Sequence, residues 1–348
     1  MLPEHLLCQP VSHALDGAIQ NHIDQKTKPL GALGKLETLA AQLARVQQSM
    51  SPSVPSAVHL VFAADHGVCA EGVSPFPSAV TTQMVLNFLH GGAAINVFCR
   101  QNDAAFKVIN AGVLGELPAH ADLVDAPVRK GTANFLHDPA MTTDELMQCL
   151  NTGARMVDEL AAEAQIISLG EMGIGNTTSA AALVAAMLSL PAAQVVGAGT
   201  GADEAMQAHK AEVIRSALQH HGLDSSDPLR ILQTVGGLEI AMMTGAYLRA
   251  AALGKIILVD GFIATSAWAI AAALQPALRD YSVFAHQSNE HGHALVLQKL
   301  NVTPLLHLDM RLGEGTGAIA ALPLVRLAVA FFNEMASFAD AGVSESNA

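Results

Sequence analysis

Glu314 stands between two glycines in the run Arg311-Leu312-Gly313-Glu314-Gly315-Thr316-Gly317-Ala318. The residues before it, 304–309, read as a buried strand, and those after it, 318–336, as a helix. Open α/β sheets bind ligands at the carboxyl ends of their strands. Glycines let a ligand approach the backbone and leave a neighbouring acid unshielded. An acid serving solubility alone needs no such setting, so Glu314 reads as a working carboxylate.

Two further glycine loops could hold an anion. Residues 165–169 read as a strand running into Gly170-Glu171-Met172-Gly173-Ile174-Gly175-Asn176-Thr177-Thr178, where a helix opens. A helix N-terminus offers unpaired N–H groups and a partial positive charge, and Thr177 and Thr178 add hydroxyls. Gly170 and Gly175 have P-loop spacing, but Asn176 stands where that loop requires Lys. The alternative to a phosphate cradle is an ordinary glycine turn with a capped helix. The second loop, Gly197-Ala198-Gly199-Thr200-Gly201, precedes a helix opening at Asp203. Lys210, about two turns into that helix, is a candidate phosphate partner, although a helix lysine is more often solvated. Gly313, Gly315 and Ala318 partly match a dinucleotide fingerprint. No strand with a ribose-binding acid follows, and a carboxylate beside a pyrophosphate would repel it.

Asp65-His66-Gly67 and Asp260-Gly261 also follow strand-like runs. The stretch His286-Gln287-Ser288-Asn289-Glu290-His291-Gly292-His293 has no zinc-ligand spacing. It reads as a surface loop, and no metal is expected. There is no Gly-x-Ser-x-Gly elbow for serine hydrolysis.

The elements that must position these groups alternate. Strand-like runs occur at 57–63, 105–111, 165–169, 194–197, 255–260 and 304–309. Their Val, Ile and Leu lack polar alternation, as in a parallel sheet covered on both faces. Helical patterns span roughly 177–190, 203–221 and 264–274, and another opens at Thr142, whose spacing to Glu145 suits a capping box. The fold class is therefore α/β with right-handed crossovers. Residues 1–49 look helical without a strand, and 318–340 form one Ala-rich helix. The expected division is a large α/β unit over about 50–317 and a small helical lobe from 1–49 and 318–348.

Hydrophobic residues make up 51% of the 348 and charged residues 14%, enough for a large core. The net charge of −13 argues against a nucleic-acid surface. Stretches 172–202 and 261–278 carry no charge, but glycines, Pro191 and polar side chains interrupt them, so no membrane span is expected. Four cysteines without a CxxC pair read as reduced, mostly buried thiols. No targeting segment opens the sequence, which points to the cytoplasm.

Several stretches together resemble one family. They are 27–37 (Thr27-Lys28-Pro29-Leu30-Gly31 through Glu37), Ala64-Asp65-His66-Gly67-Val68, Val80-Thr81-Thr82-Gln83-Met84 and Gly91-Gly92-Ala93-Ala94-Ile95-Asn96. The loop 170–178, His209-Lys210, Val259-Asp260-Gly261-Phe262 and the Glu314 loop continue the series. In this order the set resembles the nicotinate-nucleotide–dimethylbenzimidazole phosphoribosyltransferases, which activate the lower base of cobalamin. The resemblance implies a Rossmann-like large domain, a small domain from both chain ends and a homodimer with composite sites. It also implies transfer of phosphoribose from nicotinate mononucleotide to a benzimidazole, with no cofactor. Glu314 is then the base. Gly173, Gly175, Asn176, Thr177, Thr178, Gly199, Gly201, Lys210, Asp260, Gly261, Gly313 and Gly315 become candidates for nucleotide binding. Glu171 and Ser288 are implied as supporting groups, and Gln83 and Met84 as the base pocket. A dehydrogenase or kinase on the same fold, a non-catalytic nucleotide sensor, and a related enzyme using adenine or a phenolic base are the alternatives.

Overall fold

The computed structural model describes residues 2–199 and 201–344. Helices α1 (Asp16–Asp24) and α2 (Lys35–Val46) precede strand β1 (Ala57–Ala64). Helices α3 (Ala79–Leu89) and α4 (Ala94–Gln101) lead to β2 (Ala104–Gly112) and β3 (Leu123–Asp125). Helix α5 (Thr143–Leu160), β4 (Ile166–Met172), α6 (Asn176–Leu188), α7 (Ala192–Val195) and α8 (Glu204–His221) follow. Next come α9 (Pro228–Val235), α10 (Leu238–Ala252), β5 (Ile256–Val259), α11 (Phe262–Leu274) and β6 (Ser282–Phe284). The chain continues through β7 (His286–Gln287), α12 (His293–Lys299), β8 (Leu306–His307), α13 (Thr316–Glu334) and α14 (Phe338–Ala341).

Six strands form one sheet in the order β3-β2-β1-β4-β5-β6, and every pair in it is parallel. The order reverses between β1 and β4, the switch point at which such sheets open a crevice at the strands' carboxyl ends. Strand periodicity divides the core. In β1, Val58, Leu60 and Phe62 join the cluster containing α5, α6, α10 and α11 side chains. Ala57, Val61 and Ala63 join the cluster containing α1, α2 and α13. Burial on both faces is what makes these strands apolar throughout.

One local expectation matches. Thr142 caps α5 reciprocally: its hydroxyl accepts the Glu145 N–H at 3.2 Å, and Glu145 Oε2 accepts the Thr142 N–H at 2.7 Å. The two ends of the chain meet, with the Thr27 N–H donating to Ala336 O and the Phe338 N–H to Gln25 O. Both ends pack on one face of the sheet, because α1, α2 and α13 share a hydrophobic cluster with β1 and β5. Helix α13 is long and apolar enough to cross a membrane by length and composition. Here Ala318, Leu322, Val325 and Phe332 bury its apolar face in that core.

Other expectations are corrected. Residues 194–197 form no strand, since Pro191 opens the short helix α7 there. Residues 304–309 form no buried sheet strand either. Pro304 lacks an N–H, Asp309 turns left-handed at φ 53°, and only Leu306–His307 pair, with β7 in a separate two-stranded sheet. The long C-terminal helix ends at Glu334, where Met335 becomes extended. Strands β3 and β6, of three residues each, extend the sheet at its edges.

Candidate active site

A cavity of about 690 Å³ opens at the carboxyl ends of β4 and β5. That volume suits a nucleotide-sized ligand. Its walls come from the loops after β4 and β5, the start of α3, residues around Ser288 and the Glu314 turn.

Three successive residues of that turn are left-handed: Gly313 (φ 84°), Glu314 (62°) and Gly315 (85°). For Glu314 this conformation is strained. Both of its main-chain polar groups are held by side chains. Its N–H donates to Glu171 Oε1 at 3.3 Å, and its carbonyl accepts from His59 Nε2 at 2.8 Å. The residue is 5% exposed, and Oε2 accepts the Ile95 N–H at 3.4 Å in the first turn of α4. Burial pushes its pKa up to about 7, with the Asp260 charge adding and the Ile95 N–H opposing. A carboxylate tuned to that range can take up a proton at neutral pH.

Glu171 ends β4 beside it. Asn176 Nδ2 donates to Glu171 Oε2, so both oxygens of this buried acid are engaged. Burial holds the Glu171 carboxyl well above the ordinary range, against the pull of Asn176. A side chain at Gly313 would collide with Glu171 Oε1, which accounts for a glycine at that point.

Asp260 accepts the Ala318 N–H at 2.9 Å, and its Oδ1 lies 3.5 Å from His286 Nε2. Burial acts to raise its pKa, but His286 and the N–H groups of Gly261 and Ala318 outweigh it and hold the carboxyl below its usual value. The histidine stretch is therefore not a surface loop. Of its three histidines, His286 and His293 are buried and His291 is exposed. His293 Nδ1 accepts the Ser288 N–H at 2.8 Å, while Nε2 lies 3.0 Å from Thr265 Oγ1. Burial drives its pKa down to about 3, with His286 adding to the effect, so the ring is neutral. Among the described residues no cluster of metal-ligating side chains occurs.

Gly173, Asn176, Thr177 and Gly199 line the cavity, as do Gly261, Ser288 and Gly313. Lys210 lies buried behind them, its Nζ donating to Thr177 Oγ1 at 3.4 Å. Burial lowers the Lys210 pKa, and the Glu290 carboxylate opposes that shift. Thr178, Gly175 and Gly315 support the loops without lining the cavity, and Gly201 is exposed and away from it. Met84 faces the cavity, with Phe76 and Val80 beside it. Gln83, next to Met84 on α3, is exposed and does not line this cavity.

Comparison with known proteins decides the family. A family model described as Phosphoribosyltransferase matches residues 8–343. A nicotinate-nucleotide–dimethylbenzimidazole phosphoribosyltransferase of Ralstonia nicotianae is 52% identical, covering 95% of this chain and 94% of that protein. Its counterpart from Photobacterium profundum is 50% identical, with 97% of each chain covered. The chain belongs to this phosphoribosyltransferase family. The crystal structure of CobT from Thermus thermophilus superposes with a TM-score of 0.92 at 44% identity, covering 95% of this chain and 99% of that one.

Three residues of this phosphoribosyltransferase site escape a reading of motifs. Glu290 Oε1 accepts the Gly199 N–H at 2.8 Å, and Arg311 Nη1 donates to Gly199 O at 2.8 Å, so two side chains grip the second glycine loop. His59 carried a visible signal, being the lone polar residue in Ala57-Val58-His59-Leu60-Val61. Asp65 and His66 serve the scaffold: His66 Nε2 meets Glu239 Oε1 at 2.6 Å with both side chains fully buried, tying the β1 loop to α10.

Proposed function

We propose that the chain transfers the 5-phosphoribosyl group of nicotinate mononucleotide to 5,6-dimethylbenzimidazole, releasing nicotinate and α-ribazole 5′-phosphate for the nucleotide loop of cobalamin. The observation that carries this reading is Glu314, a buried carboxylate with its pKa near 7, facing a cavity between two glycine loops.

The proton and charge balance follows from the substrates. The pyridinium of nicotinate mononucleotide leaves ribose C1′ with the electron pair of the broken C–N bond, as a neutral ring nitrogen. No acid has to protonate it. One benzimidazole nitrogen attacks C1′ from the opposite face and inverts it. The ring becomes cationic, and its other N–H passes its proton to Glu314. The loops at Gly173 and Gly199, with Thr177 and Lys210, anchor the 5′-phosphate and hold C1′ in line. Phe76, Val80 and Met84 offer an apolar wall for the incoming ring. The balance closes without a metal or cofactor.

The working form is a homodimer in the cytoplasm, with each cavity completed by the small helical lobe of the other copy. Leu312 and Phe76, at the cavity, are 57% and 46% exposed, and Leu30 is 75% exposed, apolar surface suited to a second copy. The free cysteines fit a reducing compartment. Mixing Glu314→Gln with a variant damaged in the lobe restores activity through hybrid dimers, and a fully active monomer in sedimentation overturns the composite site.

The test of the reaction is incubation with nicotinate mononucleotide and a panel of bases, following nicotinate release and riboside phosphate formation. Turnover with dimethylbenzimidazole is expected. Preference for adenine or a phenol would reassign the acceptor. Turnover of ATP or a dinucleotide instead would overturn the reaction.

A further inference from the structure

We propose that His59 is a positioning residue for the reaction, holding the main chain of Glu314 in the left-handed turn that aims its carboxylate into the cavity. The inference rests on the reading of Glu314 as the base.

His59 lies inside β1 and is fully buried. The strand's alternation places it on the α13 side, in a row with Ala57, Val61 and Ala63. An imidazole in such a row costs desolvation that an aliphatic side chain would avoid. Burial drives its pKa down to about 4, so the ring is neutral at pH 7 and has one donor and one acceptor. The Glu314 carbonyl can only accept, which places the proton on Nε2. Nδ1 then accepts from Ser168 Oγ at 2.7 Å. Ser168 is the register partner of His59 on β4, and Phe106, its partner on β2, stacks on the ring at 6.2 Å. Both neighbouring strands therefore fix the ring, and its single donor is spent on the residue that carries the base.

The target needs such a hold. Glu314 is a non-glycine residue at φ 62°, a conformation that persists only where its surroundings enforce it. Its amide is held by Glu171, and its carbonyl by His59 alone among the described side chains. A side chain at Gly315 would run into the His59 ring, so the turn is seated directly on the imidazole. Removing the donor leaves a buried carbonyl unpaired and frees the turn to relax. A displacement of about 1 Å at a catalytic group can cost roughly 100-fold in rate.

The experiment compares His59→Leu, which fills the space without a donor, with His59→Gln, whose amide can still donate. Each is measured in the wild-type and Glu314→Gln backgrounds, well below its melting temperature. His59→Leu is expected to lower kcat by roughly 100-fold, with the KM for nicotinate mononucleotide nearly unchanged and the acid limb of the pH profile moved. His59→Gln recovers much of the loss. In the Glu314→Gln background His59→Leu costs little more, because there is no base left to position. Near-normal kcat with an unmoved acid limb in folded His59→Leu, or losses that multiply in the double variant, overturn the proposal. Should His59→Leu fail to fold, Ser168→Ala replaces it. A severalfold loss of kcat is expected there, and no loss overturns the proposal. If Glu314→Gln itself keeps normal turnover, the base assignment fails instead, an outcome distinct from failure at His59.

Discussion

The Glu171 carboxyl accepts the main-chain N–H of Glu314 at 3.3 Å, so one buried acid holds the peptide that carries another. Its second oxygen takes the Asn176 amide, which fastens the first glycine loop to the same group. Glu171→Gln cannot satisfy both donors, because one of its two positions becomes an NH2. The variant is expected to lose about 1–3 kcal/mol of stability, together with activity. Chemical denaturation checks this, and an unchanged midpoint would remove Glu171 as the link.

Glu314→Gln keeps the size of the side chain but accepts no proton. Turnover should fall by about 10²–10⁴, with nucleotide affinity nearly unchanged because the proposed phosphate anchors sit on other loops. Steady-state kinetics beside a binding titration decide it. A folded variant with near-normal kcat takes Glu314 out of the mechanism.

The same carboxyl sets a pH dependence of both rate and stability. With its pKa at about 7, kcat should drop as the pH falls below 7 and the base becomes protonated. Stability runs the other way. The folded pKa lies above the ordinary 4.5, so the folded protein binds the proton more tightly than the unfolded chain does. The resulting stabilisation is complete below about pH 4.5 and is lost as pH rises through 7, up to about 3 kcal/mol. Glu314→Gln should therefore be more stable than wild type at pH 8 and lack this slope. A Glu314→Gln melting curve no higher than wild type at that pH would contradict the burial of a charge there.

Lys210→Ala should weaken nicotinate mononucleotide binding by about 1.5–3 kcal/mol, the scale of a hydrogen bond to a charged group. The dephosphorylated riboside should bind poorly to both proteins. Calorimetry with the two ligands tests the assignment, which fails if the riboside binds as well as the nucleotide.

His66→Ala should destabilise the fold by about 1–3 kcal/mol, the cost of leaving a buried polar group unpaired. Among the described residues it strips the only hydrogen-bonding side chain from Glu239, whose other oxygen has no partner among them. A smaller loss in a denaturant titration would mean that the pair contributes little.

The sequence exposed the central strands because burial on both faces leaves a continuous apolar signature, as at Ile166 and Ile256. It hid β6, where Ser282-Val283-Phe284 is too short to show a period. At 194–197 the Val-rich run resembled a strand, but Pro191 sets a helical turn just ahead of it. The glycine loops were legible because close approach requires glycine. Arg311 and Glu290 were not, since what they grip is main chain distant in sequence. His286 and His293 looked solvated for the same reason: their surroundings are assembled from α11, α13 and the β5 loop.

The distances along the chain to Glu314 carry a consequence for how the protein is made. Its carbonyl is held by a residue 255 positions earlier and its amide by one 143 positions earlier. Contacts of that span form late, after shorter loops have closed. During synthesis β1 and β4 can pair long before the turn at Glu314 leaves the ribosome. A nascent chain stalled ahead of residue 313 would have much of its sheet yet lack the Glu314 turn and helix α13. The cavity wall at Glu314 is thus among the last parts of this crevice to take shape, and it waits on the docking of helix α13.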